Sequence, residues 1–223
     1  IGLSLVVYRQ EEYQMGIFTP HIYRSGLPVT VITDCLDENA KGRLLTRLAV
    51  LFPNSHHVFV GLNDEYKAAL QVVDTIDALG GEPGIILANV ARRNGHGKKW
   101  PNGTPFGVLK VGQTIIFATI GGAILAMVSK LLGHDHVVEV LDIPTAMPIL
   151  SSDPDHIQHV VNTQYRSYEF LPLAAAAYLN GADLRCSNTN LAELQRIEGN
   201  VVLEQDCFGN LKLSANPADF NFV

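Results

Sequence analysis

The residues best suited to chemistry stand near the end of the chain, in the run Asp206-Cys207-Phe208-Gly209-Asn210. A β-branched run precedes them and apolar alternation resumes through Leu213, which predicts a strand, a tight turn and a return strand. Gly209 can take a positive φ at such a turn, and Asn210 tolerates one. Asp206 offers two acceptor oxygens and Asn210 a donor and an acceptor, a set that suits the ammonium and carboxylate of an amino acid. The competing interpretation is a hairpin turn whose side chains bond only their own backbone, and these residues alone favour it.

A second acid, Asp34, ends an apolar run that begins at Pro28 and reads as a buried parallel strand. Ligands of open α/β sheets lie beyond the carboxyl ends of the strands, where an acid commonly accepts hydrogen bonds from ribose hydroxyls. An N-cap for the helix that follows is an equally good explanation of Asp34. Both alternatives stand at this point.

The loop 91–105 is polar and rich in glycine, and loops of this length are usually functional or disordered. Gly95 and Gly97 expose backbone amides that can meet an anion. The loop lacks the phosphate-loop spacing GxxxxGK[ST], and no GxGxxG follows a strand. A solvated basic loop is the first interpretation and carboxylate binding the second. Its cationic candidates are Arg92, Arg93, His96, Lys98 and Lys99.

Other common site patterns are missing from the sequence. The closest histidine groupings are His134 with His136 and His156 with His159, and neither has the HExxH spacing or a cysteine to join it. We therefore expect no metal. A GxSxG elbow is also missing, so a serine hydrolase of that type has no support.

Composition narrows the class of protein further. With 223 residues, 47% hydrophobic and 17% charged, the chain is long enough for one or two globular domains. The net charge of −6 argues against nucleic acid as a partner. Three widely spaced cysteines favour reduced thiols and a cytoplasmic location. The longest apolar stretch, 114–128, is broken by Gly121-Gly122, so we expect no membrane span, and we expect no signal peptide.

Strand and helix patterns alternate through residues 28–90, which predicts the α/β class with a mostly parallel sheet flanked by helices. We expect an N-terminal α/β domain over 1–181 and the start of a small C-terminal β domain over 182–223. The proline-rich stretch 144–154 is interpreted as a linker or domain edge. Because the chain begins at Ile1 and not at Met, and stops at Val223 shortly after a predicted hairpin, we expect it to be incomplete at both ends.

These pieces together resemble the S-adenosylmethionine hydroxide adenosyltransferase family, relatives of the fluorinase and chlorinase enzymes. Ile32-Thr33-Asp34 looks like the family's TD motif, and 87–95 stands where the family has a strand and a DPGVG loop. Residues 117–128 are similar to its strand and PDNG helix start, and 166–177 to its RDxFAPxAA segment. Asp206 to Asn210 matches DxFGN, the most specific motif of the set.

The resemblance implies a homotrimer that takes S-adenosylmethionine as substrate or ligand. Adenosine would lie between the N-terminal domain of one subunit and the C-terminal domain of its neighbour. Asp34 would hold the ribose hydroxyls, and Asp206 and Asn210 the methionine amino and carboxylate groups. The remaining candidates for substrate binding are Phe170, Leu171 and Ala174 near the adenine, and Phe208. Close helix packing explains the same small residues of 169–177, and the composition of this segment alone favours it.

This sequence differs from the family at the residues that the family uses for catalysis. The Asp of DPGVG becomes Ala91, the family's Arg becomes approximately Lys98, and the His before RDxF becomes Tyr165. PDNG becomes 119–122, with the residues Thr-Ile-Gly-Gly. The hypothesis is a water oriented by Tyr165, with Lys98 or His96 nearby, that cleaves S-adenosylmethionine to adenosine and methionine. The alternatives are a non-catalytic ligand-binding or assembly protein on the same fold, and a halogenase that uses a halide instead of water.

Overall fold

The computed structural model describes residues 26–90, 104–132, 136–163, 166–184, 186–194 and 197–215. The strands are β1 (Pro28–Thr33), β2 (His56–Gly61), β3 (Gly84–Asn89), β4 (Phe106–Val111), β5 (Thr114–Thr119), β6 (Val137–Leu141), β7 (Ser187–Asn190), β8 (Val202–Gln205) and β9 (Leu211–Leu213). The helices are α1 (Glu38–Leu51), α2 (Glu65–Leu79), α3 (Ala126–Leu132), α4 (Ile143–Leu150), α5 (Pro154–Asn162), α6 (Arg166–Glu169) and α7 (Leu171–Leu179).

Seven strands form one sheet in the order β2-β1-β3-β5-β4-β6-β7. The first four of these are parallel to one another, and the remaining pairs are antiparallel. β8 and β9 form a separate two-stranded antiparallel sheet. The protein is therefore of the α/β class, with a mostly parallel sheet flanked by helices and a small C-terminal β sheet, and this confirms the predicted fold class.

Helices cover both faces of the sheet. In β1, Val29 and Val31 pack with α1 and α7, whereas Ile32 packs with α2 on the opposite face. Strands buried on both faces read as continuous apolar runs, which is why β1, β3 and β5 were visible in the sequence. The chain passes from β1 to β2 on one side and then returns past β1 to β3. Because both crossovers keep the same hand, α1 and α2 lie on opposite faces.

Helix starts follow from local capping. The Asp37 side chain accepts a hydrogen bond from the Ala40 amide over 2.8 Å at the start of α1. Asp64 does the same at α2, accepting from Tyr66 over 2.8 Å and from Lys67 over 3.0 Å. Such caps satisfy amides that have no partner inside the helix.

Most of the proline-rich stretch 144–154 is helical, since 144–150 belong to α4 and Pro154 begins α5, so its interpretation as a linker was wrong. α4 begins after Asp142, whose carboxylate accepts from the Thr145 amide over 3.1 Å. Pro144 lies in the first turn of α4 and Pro154 in the first turn of α5, where an amide hydrogen is not needed. The buried Met147 anchors α4 to the core although Pro148 lies inside the helix.

The residues after 181 contribute strands to both sheets. β7 pairs with β6, so residues 187–190 of the predicted C-terminal domain lie in the large sheet. The β8–β9 hairpin packs on α2, where Leu203 joins the core and Lys212 meets Asp74 over 2.6 Å. The division into domains at 181/182 stays a prediction. Within the described residues, no helix is both long and apolar enough to cross a bilayer.

Candidate functional site

The best-defined candidate site lies at the carboxyl edge of the parallel strands. Asp34 follows β1 directly, and its amide donates a hydrogen bond to the carbonyl of Asn89 over 3.2 Å at the end of β3. On the other side of β1, the Leu62 amide donates to the Thr33 carbonyl over 2.9 Å. Successive connections leave β1 and β3 in opposite directions, so Asp34 stands at the switch point of the sheet. Ligands of open α/β sheets bind in the crevice at this point.

The helix-cap explanation of Asp34 was wrong, because Asp37 fills that role. Asp34 is half-buried beside Cys35, whose Sγ lies 3.9 Å from the Asp34 Oδ1. The same sulfur lies 3.8 Å from the Ser167 Oγ of α6. The structure thus brings the hydroxyl of Ser167, from a distant part of the chain, to the thiol that lies beside the acid. The sequence offered no signal for this meeting except that Ser167 stands in the RDxF-like segment.

Phe170, Leu171 and Ala174 are brought together at the start of α7, and each is at most 2% exposed. Phe170 stacks on Phe106 with ring centroids 6.0 Å apart. Phe106 pairs with Thr119 at the carboxyl end of β5, so this stack lies at the same edge of the sheet as Asp34. Close packing, the competing explanation of this segment, therefore accounts for the three side chains. They form the buried wall behind the edge and present almost no surface to a ligand.

The turn 206–210 is held by its own side chains. Asp206 Oδ1 accepts hydrogen bonds from the Phe208 and Asn210 amides, both over 2.8 Å, and Oδ2 accepts from the Asn210 side chain over 2.7 Å. Gly209 has φ +87°, as its type predicted. The hydrogen bond from the Asn210 side chain, followed by those from backbone amides, lowers the pKa of Asp206. The interpretation as a turn closed by its own side chains is confirmed for Asp206, whereas the Asn210 side chain bonds the Asp206 carboxylate and not the backbone. The lowered pKa leaves Asp206 ionised at neutral pH.

The tip of this hairpin is open to solvent. Phe208 is 87% exposed, which is unusual for so large an apolar side chain, and Cys207 beside it is also exposed. The hairpin packs on α2, while the Phe170 group packs on the opposite face of the sheet with α1. One chain therefore places the candidates in two separate groups, the turn with Phe208 and the sheet edge with Asp34.

Comparison with known proteins supports the fold. No protein-family model and no curated protein matches this chain. An uncharacterized conserved protein from Thermotoga maritima has a similar structure, with a TM-score of 0.57 at 15% identity over 83% of this chain and 70% of its own. A conserved hypothetical protein from Thermus thermophilus matches with a TM-score of 0.50 at 16% identity, over 84% of this chain and 72% of its own. At such identities the likeness shows the α/β fold alone.

The three candidates for catalysis, His96, Lys98 and Tyr165, lie outside the described residues, as does most of the basic loop 91–105. Their roles stay predictions. In the part of the chain that the structure describes, no group of three or more His, Cys, Asp or Glu side chains is placed to hold a metal ion.

Proposed function

We propose that this protein binds S-adenosylmethionine at the switch point beside Asp34 and cleaves it with water to adenosine and methionine. The observation that carries the proposal is the position of Asp34 at the end of β1, where its amide bonds to the carbonyl at the end of β3. The choice of S-adenosylmethionine as ligand rests on the five motifs that follow the order of the family. The DxFGN turn is the most specific of them.

At the sheet edge, the chemistry required of Asp34 is modest. Its carboxylate has two acceptor oxygens, which suit the two neighbouring hydroxyls of a ribose. A half-buried carboxylate makes stronger hydrogen bonds than one in open water, because the surrounding dielectric is lower. Behind it, the Phe106–Phe170 stack supplies a rigid apolar wall.

The other end of the ligand would be held by Asp206 and Asn210 of a neighbouring subunit. In a single chain the hairpin packs on the sheet face opposite to the Phe170 group. An assembly that brings the hairpin of one subunit to the Asp34 edge of the next would also cover the exposed ring of Phe208. We infer a homotrimer with the site at the subunit interface, and a small nucleoside ligand as the partner instead of nucleic acid or membrane.

The reaction breaks the bond between C5′ and the sulfonium sulfur and forms a bond between C5′ and the water oxygen. The sulfur leaves with the bonding pair as the neutral thioether of methionine, and the water loses one proton. A sulfonium is already a good leaving group, so alignment and exclusion of bulk water supply most of the catalysis. Tyr165, Lys98 and His96 stay the candidates for orienting the water.

Incubation with S-adenosylmethionine followed by chromatography tests the proposal. Wild-type protein should release adenosine and methionine in equal amounts. Asp34→Asn should weaken binding on the order of tenfold, because a charged acceptor is replaced by a neutral one. Asp77→Asn is the matched control, since Asp77 is exposed on α2. Loss of binding in both variants, or in neither, would remove Asp34 from the site.

A second candidate is a protein of the same fold that binds the ligand without cleaving it. The replacement of the family's Asp, Arg and His by Ala91, Lys98 and Tyr165 favours it. The same incubation separates the two functions. Adenosine formation identifies the enzyme, whereas intact S-adenosylmethionine bound after long incubation identifies the binding protein.

A further inference from the structure

A cleft of about 520 Å³ lies along the outer face of α1, on the side where α6 packs against it. Its volume is within the range typical of small-molecule sites. Residues one helical turn apart on α1 form one wall, and Tyr168 of α6 forms the other. The polar residues that line it are Glu38, Asn39, Arg43, Thr46, Arg47 and Tyr168. None of them belongs to the site described at Asp34.

Two arginines converge in this cleft. The guanidinium of Arg43 lies 4.4 Å from the ring centroid of Tyr168, and that of Arg47 lies 5.2 Å from the same ring. Each is also near one oxygen of Glu169, at 4.0 Å for Arg43 and 3.4 Å for Arg47. The aromatic face and the carboxylate therefore hold two like charges close together.

The charges in the cleft do not cancel. The two arginines face a single half-buried carboxylate, Glu169, while Glu38 at the rim is 88% exposed and lies 3.7 Å from Lys41. Among these described residues, the three cations Lys41, Arg43 and Arg47 thus face two carboxylates, on a protein whose net charge is −6. In addition, Arg47 Nε is enclosed without a hydrogen-bond partner within the described residues. Native structures rarely keep such a donor unless a water or an ion completes the site.

We propose that Arg43 and Arg47 form an oxyanion-binding site for a small ligand that carries a phosphate or a carboxylate. Guanidinium groups present their donors in a planar fork that fits the oxygens of these anions. Arg43 is 53% exposed and meets the ligand first, whereas Arg47 is 31% exposed and forms the floor of the cleft. Glu169 and Tyr168 are positioning residues that keep both guanidinium groups in place.

Titration calorimetry with inorganic phosphate and with malonate tests the site, at an ionic strength matched with sodium chloride. Wild-type protein should bind at least one of the two anions, and the tighter of the two identifies the ligand class. Arg43→Gln should lower the affinity on the order of tenfold, because hydrogen bonds to a charged group are lost. Lys67→Gln removes one positive charge from α2, on the opposite face of the sheet, and should leave the affinity unchanged.

Two further variants keep the test decisive. Arg47→Lys retains the charge and loses the fork, so it should weaken binding while the fold, followed by circular dichroism, is kept. Asp34→Asn should bind phosphate like the wild type, which separates this site from the proposed nucleoside site. If neither anion binds more tightly than chloride, or if Lys67→Gln weakens binding as much as Arg43→Gln, the oxyanion site is overturned.

Discussion

The amide of Asp34 donates a hydrogen bond to the carbonyl of Asn89 over 3.2 Å, which ties the ends of β1 and β3 together. This bond continues the parallel pairing of the two strands by one residue. It holds the Asp34 backbone at the point where the chain turns away to α1. The acid is therefore presented by two buried parallel strands and not by a free loop, which is the arrangement that a precise binding group needs.

Glu65 provides a test of how the segment between β5 and α3 is held in place. Its side chain is buried, with 6% exposed, and Oε2 accepts a hydrogen bond from the Ala123 amide over 3.1 Å. Glu65→Ala would leave that buried amide without this acceptor, so we expect a loss of about 1–3 kcal/mol in the free energy of unfolding. Urea denaturation measures it, with Glu82→Ala, an exposed residue, as the control. Equal stability of the two variants would contradict this role of Glu65.

Alanine variants of Phe170 and Phe208 distinguish a side chain that stabilises the core from one proposed to bind the ligand. Phe170 is fully buried against Phe106, so Phe170→Ala should cost about 3–5 kcal/mol of stability. Phe208 is 87% exposed, so Phe208→Ala should change stability by less than about 0.5 kcal/mol. The proposed interface site predicts that Phe208→Ala instead weakens S-adenosylmethionine binding. Unchanged binding and unchanged oligomeric state in Phe208→Ala would contradict a role for this ring.

The hydrogen bonds that hold the turn at Asp206 should be lost at acid pH. Hydrogen bonds from Asn210 lower the pKa of Asp206 in the folded protein. A group with a lowered folded pKa stabilises the fold fully above its unfolded pKa of about 3.9, and this contribution is lost as the pH falls through the folded value. Amide signals of Phe208 and Asn210, followed by NMR, should therefore shift only below about pH 4. An Asp206→Asn variant should lack the transition, and a midpoint above the ordinary aspartate value would contradict the account.

The reactivity of the cysteines offers an independent check of the burial of Cys186. Burial, with Glu139 and Asp183 nearby, raises the pKa of Cys186 to about 11. At pH 8 only about one thiol in a thousand is then ionised, and the thiolate is the reactive form. Cys207 is exposed, so iodoacetamide should modify it more than about tenfold faster than Cys186, as mass spectrometry of peptides will show. Equal rates would contradict the partial burial of Cys186 and its raised pKa.

Much of the fold could be predicted from local pattern. β1, β3 and β5 are continuous apolar runs because both faces of the sheet are covered, and the acid after β1 marked the strand end. The stretch 144–154 was misjudged because its prolines indicate a break. Two of them occupy first-turn positions that tolerate proline, each after an aspartate cap, and the buried Met147 packs α4 on the core.

The candidate site could be predicted only in part, because its members meet across long distances in the chain. The positive φ of Gly209 and the edge position of Asp34 follow from local residue types and strand ends. The approach of Ser167 to Cys35 spans 132 residues, and no local signal records it. The burial of Phe170 depends on its stack with Phe106, which is likewise set by the packing of α7 on the sheet.

A crystal structure of the protein with S-adenosylmethionine, determined together with the oligomeric state, tests the central claim most directly. We predict that the ribose hydroxyls lie within hydrogen-bond distance of Asp34 of one subunit. The methionine amino and carboxylate groups should meet Asp206 and Asn210 of its neighbour. A structure in which Asp34 and Asp206 face separate regions of solvent throughout the assembly, or in which the ligand lies elsewhere, would contradict the proposal.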